Sequence, residues 1–301
     1  MGWDWGPMLP DAGIWKDIYL LTVNSDRIDE VHITQRHENG KVFVTPSVKT
    51  QKGSADIVVK VTAPCGCEFA LPANKESEIE NATLWWPNGF GEQNLYDLHF
   101  SLVKGETVLD RRTMTIGLRT LELSREDDEH GQEFCFKVNG IKIFAMGANF
   151  VPIESIPSHE TNERLERLIQ DCIFANFNCI RVWGGAYYPR DYFYELCDKY
   201  GLIVWQDFMV ACANVWMRPE FEKEFREEAI YNVKRIRHHA SLGILCGNNE
   251  MELFVKQGEW VNSPKEQSDY VKMYEYILPK VLKEYDPETF YWPASPSSGG
   301  C

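Results

Sequence analysis

The chain has 301 residues, 44% of them hydrophobic and 25% charged, a balance that suits a folded globular protein with room for two or three domains. Its net charge of −14 argues against nucleic acid or an anionic membrane surface as a partner. No apolar run reaches the roughly 18 residues that a membrane-spanning helix needs.

The predicted elements fall into three regions. Residues 1–24 are rich in Trp and Pro and end in a strand-like run, Ile18-Tyr19-Leu20-Leu21-Thr22-Val23. No basic segment followed by an apolar one is present there, so no signal peptide is visible. Residues 25–120 hold short alternating runs, Val31–Thr34, Lys41–Val44, Asp56–Val61 and Leu95–Phe100, separated by polar or glycine-bearing turns. Such spacing predicts an antiparallel β-sandwich.

From about residue 133 strands alternate with helices. Ile143-Phe144-Ala145-Met146-Gly147 reads as a buried strand. Between Glu163 and Phe174, Leu165, Leu168, Ile169, Cys172 and Ile173 form one helical stripe. Further strands are predicted at Cys179–Trp183, Leu202–Phe208, Leu242–Cys246 and Phe290–Pro293. Helices are predicted at Asp191–Tyr200, Pro219–His239 and Lys265–Glu284, the first stopped by Gly201. This repetition means a parallel sheet, either doubly wound or closed into a barrel. No glycine-rich phosphate loop follows the first strand, which disfavours the nucleotide-binding form. Asn149, Trp183, Asp207 and Asn249-Glu250 recur at strand C-terminal ends, where barrel enzymes keep their chemistry.

The nine cysteines follow no regular framework and favour a reducing compartment. Cys172, Cys179, Cys197 and Cys246 fall in apolar segments and read as buried thiols. Cys65-Gly66-Cys67 is too short for a zinc pair and reads as two loop thiols. No metal or cofactor is implied. His238 and His239 end a helix, where the dipole favours imidazolium.

Gly247-Asn248-Asn249-Glu250 carries the most chemistry. A carboxylic acid at the end of a buried strand can protonate a glycosidic oxygen, and an amide beside it can bind a neighbouring hydroxyl. The plainer alternative is a carboxylate capping the following helix. Asp207 reads as a structural group of the rim, and Glu252 as a solvent-facing or supporting residue. Arg181 must be paired if buried; orientation of a second carboxyl and a purely structural ion pair are equal readings for it.

The joint pattern resembles glycoside hydrolase family 2, in its β-mannosidase branch. Gly2-Trp3-Asp4-Trp5-Gly6-Pro7, Leu9-Pro10 and Ala12-Gly13-Ile14-Trp15 resemble the C-terminal end of that family's jelly-roll sugar-binding domain (residues 1–24). Leu84-Trp85-Trp86-Pro87-Asn88-Gly89 and Gly91-Glu92-Gln93 resemble its immunoglobulin-like sandwich (25–120), and Gly117-Leu118-Arg119-Thr120 its lead into the barrel. Asn139-Gly140, Gly147-Ala148-Asn149, Arg181–Gly185, Val204–Met209, Gly247–Glu250 and Tyr291-Trp292-Pro293 resemble the first five strands of its (β/α)8 TIM barrel (121–301). Leu245, Ala240 and Val215 depart from the family's usual Trp, Pro and aromatic residue.

The resemblance implies a retaining exo-β-mannosidase removing terminal β-D-mannose from β-mannosides. Glu250 would be the acid/base, and Asn249 the ligand of the sugar 2-hydroxyl. Trp183 would wall the −1 subsite, with Asp4, Trp3 and Trp260 as further substrate contacts. The nucleophilic Glu is expected beyond Cys301, which makes the chain an internal piece, inactive and poorly soluble alone. Other family 2 activities (β-galactosidase, β-glucuronidase, exo-β-glucosaminidase) and a non-catalytic carbohydrate-binding fragment are the alternatives.

Overall fold

The computed structural model describes residues 6–10, 12–213, 216–258, 261 and 263–300. Seven strands come first: β1 (Ile28–Glu38), β2 (Lys41–Thr50), β3 (Asp56–Thr62), β4 (Glu68–Leu71), β5 (Ser77–Glu78), β6 (Leu95–Lys104) and β7 (Thr107–Gly117). They form two antiparallel sheets, ordered β1-β2-β5 and β4-β3-β6-β7. The β1–β2 turn is Asn39-Gly40, both at positive φ, as a two-residue hairpin of this twist requires. Along β2, Val42, Val44 and Val48 alternate inward; along β6, Tyr96, Leu98, Phe100 and Leu102 do. These side chains meet in one core, so the two sheets are the faces of a sandwich.

A small antiparallel sheet follows, ordered β12-β11-β8, from β8 (Leu121–Ser124), β11 (Cys135–Val138) and β12 (Ile141–Ile143). Between its first two strands lies the hairpin of β9 (Asp127–Asp128) and β10 (Gly131–Gln132). Phe136, Val138 and Ile143 pack against Ile203, Ile244 and Trp292 of the next sheet.

That sheet is wholly parallel and contains β13 (Gly147–Phe150), β14 (Cys179–Val182), β15 (Ile203–Asp207), β16 (Leu242–Cys246) and β17 (Phe290–Trp292). Its strands lie side by side in sequence order. A doubly wound sheet reverses its order at a switch point, and no reversal occurs here. The connections carry α1 (Asn162–Phe174), α2 (Asp191–Tyr200), α3 (Pro219–Ile236), α4 (Met251–Gln257), α5 (Pro264–Val271) and α6 (Leu278–Tyr285), with a π-helical turn at Lys272–Ile277. Ile180, Val182, Val204 and Leu245 pack against these helices. The intervening residues Cys179, Ile203 and Ile244 face the small sheet instead.

The Leu84–Gly89 segment ties the sandwich to the parallel sheet. Buried Trp85 donates from Nε1 to the Asp198 carbonyl at 2.8 Å, and Asn88 N–H donates to the Gly201 carbonyl at 2.8 Å. Arg119 donates to the carbonyls of Ala240 and Leu242, at the entry to β16.

Three expectations need correction. Among described residues 6–24 no strand forms, and Ile18, Tyr19, Leu20 and Leu21 are exposed, because no neighbouring strand offers them a ladder. The run Ile143–Gly147 is not one strand: β12 ends at Ile143, β13 begins at Gly147, and Phe144 between them is 82% exposed. His238 is not held as imidazolium. Burial pushes its pKa down to about 3, with His239 beside it acting the same way, so desolvation outweighs the helix dipole.

Candidate active site

The β16 strand ends at Cys246, and the chain turns through Gly247 with no room for a side chain. A Cβ there would lie 2.3 Å from the Pro293 carbonyl oxygen. Asn248 is fully buried and spans the turn. Its Nδ2 donates to the Pro293 carbonyl at 2.9 Å, and its Oδ1 accepts from Met251 N–H at 2.9 Å, satisfying a free donor at the start of α4. Glu250 N–H donates to the Ser295 carbonyl at 3.0 Å. These bonds fix Glu250 in a left-handed conformation, φ 70°, at the strand end with its side chain half-buried.

Beside it lies a charged network. Arg181 on β14 faces Asp207 at the end of β15, with Nη2 2.7 Å from Oδ2 and Nε 3.3 Å from Oδ1. Asp207 also accepts from Gly184 N–H and Trp205 Nε1, both at 3.0 Å. Its carboxyl is fully buried; burial pushes its pKa up, while Arg181 and these donors pull it down. The guanidinium also donates to Asn249 Oδ1 at 2.8 Å and to Asn149 Oδ1 at 3.3 Å. A guanidinium can only donate, so it fixes the Asn249 amide with its Nδ2 turned away, free to donate elsewhere.

Asn149, Val151, Arg181, Trp183, Cys212, Asn249 and Glu250 line an open cleft of about 440 Å³, a volume suited to a sugar-sized ligand. Trp183 is buried at one wall, and a Cβ on Gly185 would fall 1.8 Å from its ring. Glycine at 185 is therefore what lets the indole lie where it does.

The structure thus brings Glu250, Asn249 and Trp183 together. Trp3, Asp4 and Trp260, like Val215, lie outside the described residues. Glu252 is not solvent-facing: it is buried, paired with Lys256 at 2.6 Å and hydrogen-bonded by Ser297 Oγ. Of the two readings for Glu252, the supporting one is thus what the structure shows; Glu250 occupies the N-cap position of α4, and its side chain makes no capping hydrogen bond. His239 is buried against Asp198, Nδ1 to Oδ2 2.6 Å. Burial pushes the thiols of Cys172, Cys179, Cys197 and Cys246 up, as inert core cysteines require. Cys212 was missed by the sequence reading: its Sγ lies 2.9 Å from Glu250 Oε2. Among the described residues no cluster of three His, Cys, Asp or Glu could hold a metal, and no helix is long and apolar enough to cross a membrane.

Residues 26–119 match the model of glycosyl hydrolases family 2, a range that coincides with the sandwich. Over 99% of its length the chain is 35% identical to a β-mannosidase B of Emericella nidulans, and equally to one of Aspergillus niger. Among solved structures, the β-D-mannosidase of Dictyoglomus thermophilum matches 99% of the chain with a TM-score of 0.90 and 34% identity. A β-glucuronidase of Parabacteroides merdae shares the fold over 88% of the chain, with a TM-score of 0.70 at 16% identity. The chain spans 38% of the length of each of these β-mannosidases and 33% of the β-glucuronidase. By these matches the chain is similar to glycoside hydrolase family 2 in residues 26–119 and to β-mannosidases over 99% of its length.

Proposed function

We propose that this chain is part of a retaining exo-β-mannosidase that releases terminal β-D-mannose from β-mannosides. In this reading residues 1–24 close a jelly-roll domain, 25–120 form an immunoglobulin-like sandwich, and 121–301 begin a (β/α)8 barrel. The observation that carries the reading is the pairing of Glu250 and Asn249 at the end of a parallel strand, on a cleft walled by Trp183. Sequence likeness to β-mannosidases over the whole chain supports the choice of mannose.

In the first step Glu250 gives its proton to the glycosidic oxygen as the bond to C1 breaks, and a carboxylate nucleophile takes C1. In the second, the Glu250 carboxylate takes a proton from water, which attacks C1 and releases mannose with its configuration retained. The nucleophile is a Glu of a later strand in the longer protein. Asn249 Nδ2 donates to the 2-hydroxyl, with Arg181 holding the amide in that sense. Asp207 holds Arg181 and is not the second carboxyl, because its four hydrogen bonds leave it no path to a substrate.

The test is made in the full-length protein. Glu250→Ala should lower turnover of β-mannosides with poor leaving groups by about 10²–10⁴-fold, and that of activated aryl β-mannosides far less, because only the former need an acid. Equal losses on both would remove the assignment. Greater turnover of a β-glucuronide or β-galactoside than of the mannoside would move the reading to another branch of the family.

A further inference from the structure

Among the described residues, seven non-glycine positions have positive φ, and five of them are asparagines. Asparagine visits this region readily because its short amide hydrogen-bonds locally. The other two are Cys212 (φ 46°) and Glu250 (φ 70°), which have no such excuse. They lie 38 positions apart in sequence and touch each other in the cleft, Cys212 Sγ to Glu250 Oε2 at 2.9 Å. Strained backbone persists only where its surroundings over-determine it, and it gathers at functional sites. Here the two strained loops are laced together: Ala211 and Asn249 form a parallel bridge, and Cys212 N–H donates to the Asn249 carbonyl at 3.3 Å.

The side chains make a one-directional relay. Arg181, anchored by Asp207, donates to Asn249 Oδ1. Asn249 Nδ2 lies 3.5 Å from Cys212 Sγ, and the thiol in turn donates to Glu250. Each donor leaves the next group turned to donate onward, so the orientation of Glu250 is linked to that of the buried ion pair.

We propose that Cys212 is a positioning residue for Glu250, its thiol holding the carboxyl at the cleft wall through Oε2. The proposal rests on the reading of Glu250 as acid/base. A thiol suits this place because it is a weak donor: it orients the carboxyl without competing strongly for the proton that the carboxyl must give and take.

The experiment uses the full-length protein with Cys212→Ala, Cys212→Ser and Glu250→Gln, each assayed on β-mannosides of graded leaving-group ability across pH. Cys212→Ala should lose about tenfold in kcat/KM on poor leaving groups and little on activated ones. Its alkaline limb should move to higher pH, since removing a donor to the carboxylate favours the protonated form. Cys212→Ser restores the donor and should recover most of both effects. Cys212→Ala losses that are equal across leaving groups, with an unmoved pH profile and no recovery in Cys212→Ser, overturn the proposal while Glu250→Gln still shows leaving-group dependence. A Glu250→Gln variant without that dependence overturns the acid/base reading and this proposal with it. If Cys212→Ala does not fold, Cys212→Ser decides alone: near-native kinetics on poor leaving groups supports the proposal, and a loss equal on all substrates overturns it.

Discussion

In the sandwich, β2 and β6 turn Val42, Val44, Phe100 and Leu102 onto one another, and most of the apolar side chains of residues 26–119 meet in that one core. In the parallel sheet, β13 leaves Gly147, Ala148 and Asn149 exposed at an edge, and Phe144 and Phe174 stand in solvent nearby. The first region has its own core and carries no cleft residue; the second is open along β13 and carries every one. Side chains that line a cleft at strand ends need a rigid frame, and here part of that frame is the Arg181–Asp207 ion pair rather than apolar packing alone. The open edge and the polar frame are therefore the places where substitutions should separate the two regions.

The largest expected effect is at that frame. Asp207→Ala leaves Arg181 without its carboxylate, and breaking a largely buried pair in this way costs about 3–5 kcal/mol. Hydrogen exchange should show β14–β16 amides losing protection while β2 and β6 keep theirs. Equal loss in both regions would mean that they unfold as one unit and that the contrast is false.

A smaller effect is expected at the cleft wall. Gly185→Ala places a methyl against the rigid Trp183 ring, an overpacking that costs about 1–3 kcal/mol. KM for a β-mannoside should rise more than kcat falls, with sandwich exchange unchanged. An unaltered KM would remove Trp183 from the substrate wall.

A third effect, one of pH, is expected at the junction of the two regions, where His238 lines a small cleft with Arg119, Gln35 and Ile116. Its pKa falls from 6.5 to about 3 on folding. Between those values the unfolded chain binds the extra proton, so stability is complete above pH 6.5 and is lost as pH falls toward 3. Glu30, held down to about 2 by Lys234 and Arg237 against its own burial, adds a loss of the same sign below pH 4.5. The melting temperature should drop by roughly 2–4 °C for each kcal/mol lost. His238→Gln should flatten the slope between pH 4 and 6, a window inside the shift. An unchanged slope would show that other groups govern it.

Much of this was legible from periodicity. The parallel strands at Cys179–Val182, Ile203–Asp207 and Leu242–Cys246 and the helix at Asn162–Phe174 follow their apolar patterns closely. The β8, β11 and β12 sheet was not anticipated: its strands are three or four residues long and, unlike Cys179–Val182, are not set between predicted helices. Ile18–Val23 and Phe144 were misread because an apolar run reports a wish for burial, not the presence of a cover. Glu250, Asn249 and Trp183 could be proposed from strand-end position and family resemblance. Cys212 could not: its left-handed turn lacks the Gly or Asn that usually announces one, and its partner is distant in sequence.

We propose above that Glu250 is the acid/base of a retaining mechanism. It is tested most directly by azide rescue of Glu250→Ala in the full-length protein, with an activated aryl β-mannoside as substrate. Without an acid/base, water attacks the mannosyl-enzyme slowly, while azide needs no proton removed and takes its place. Faster turnover with azide and a β-mannosyl azide product are expected. An α-mannosyl azide would make Glu250 the nucleophile, and no rescue at all would place it outside the chemistry.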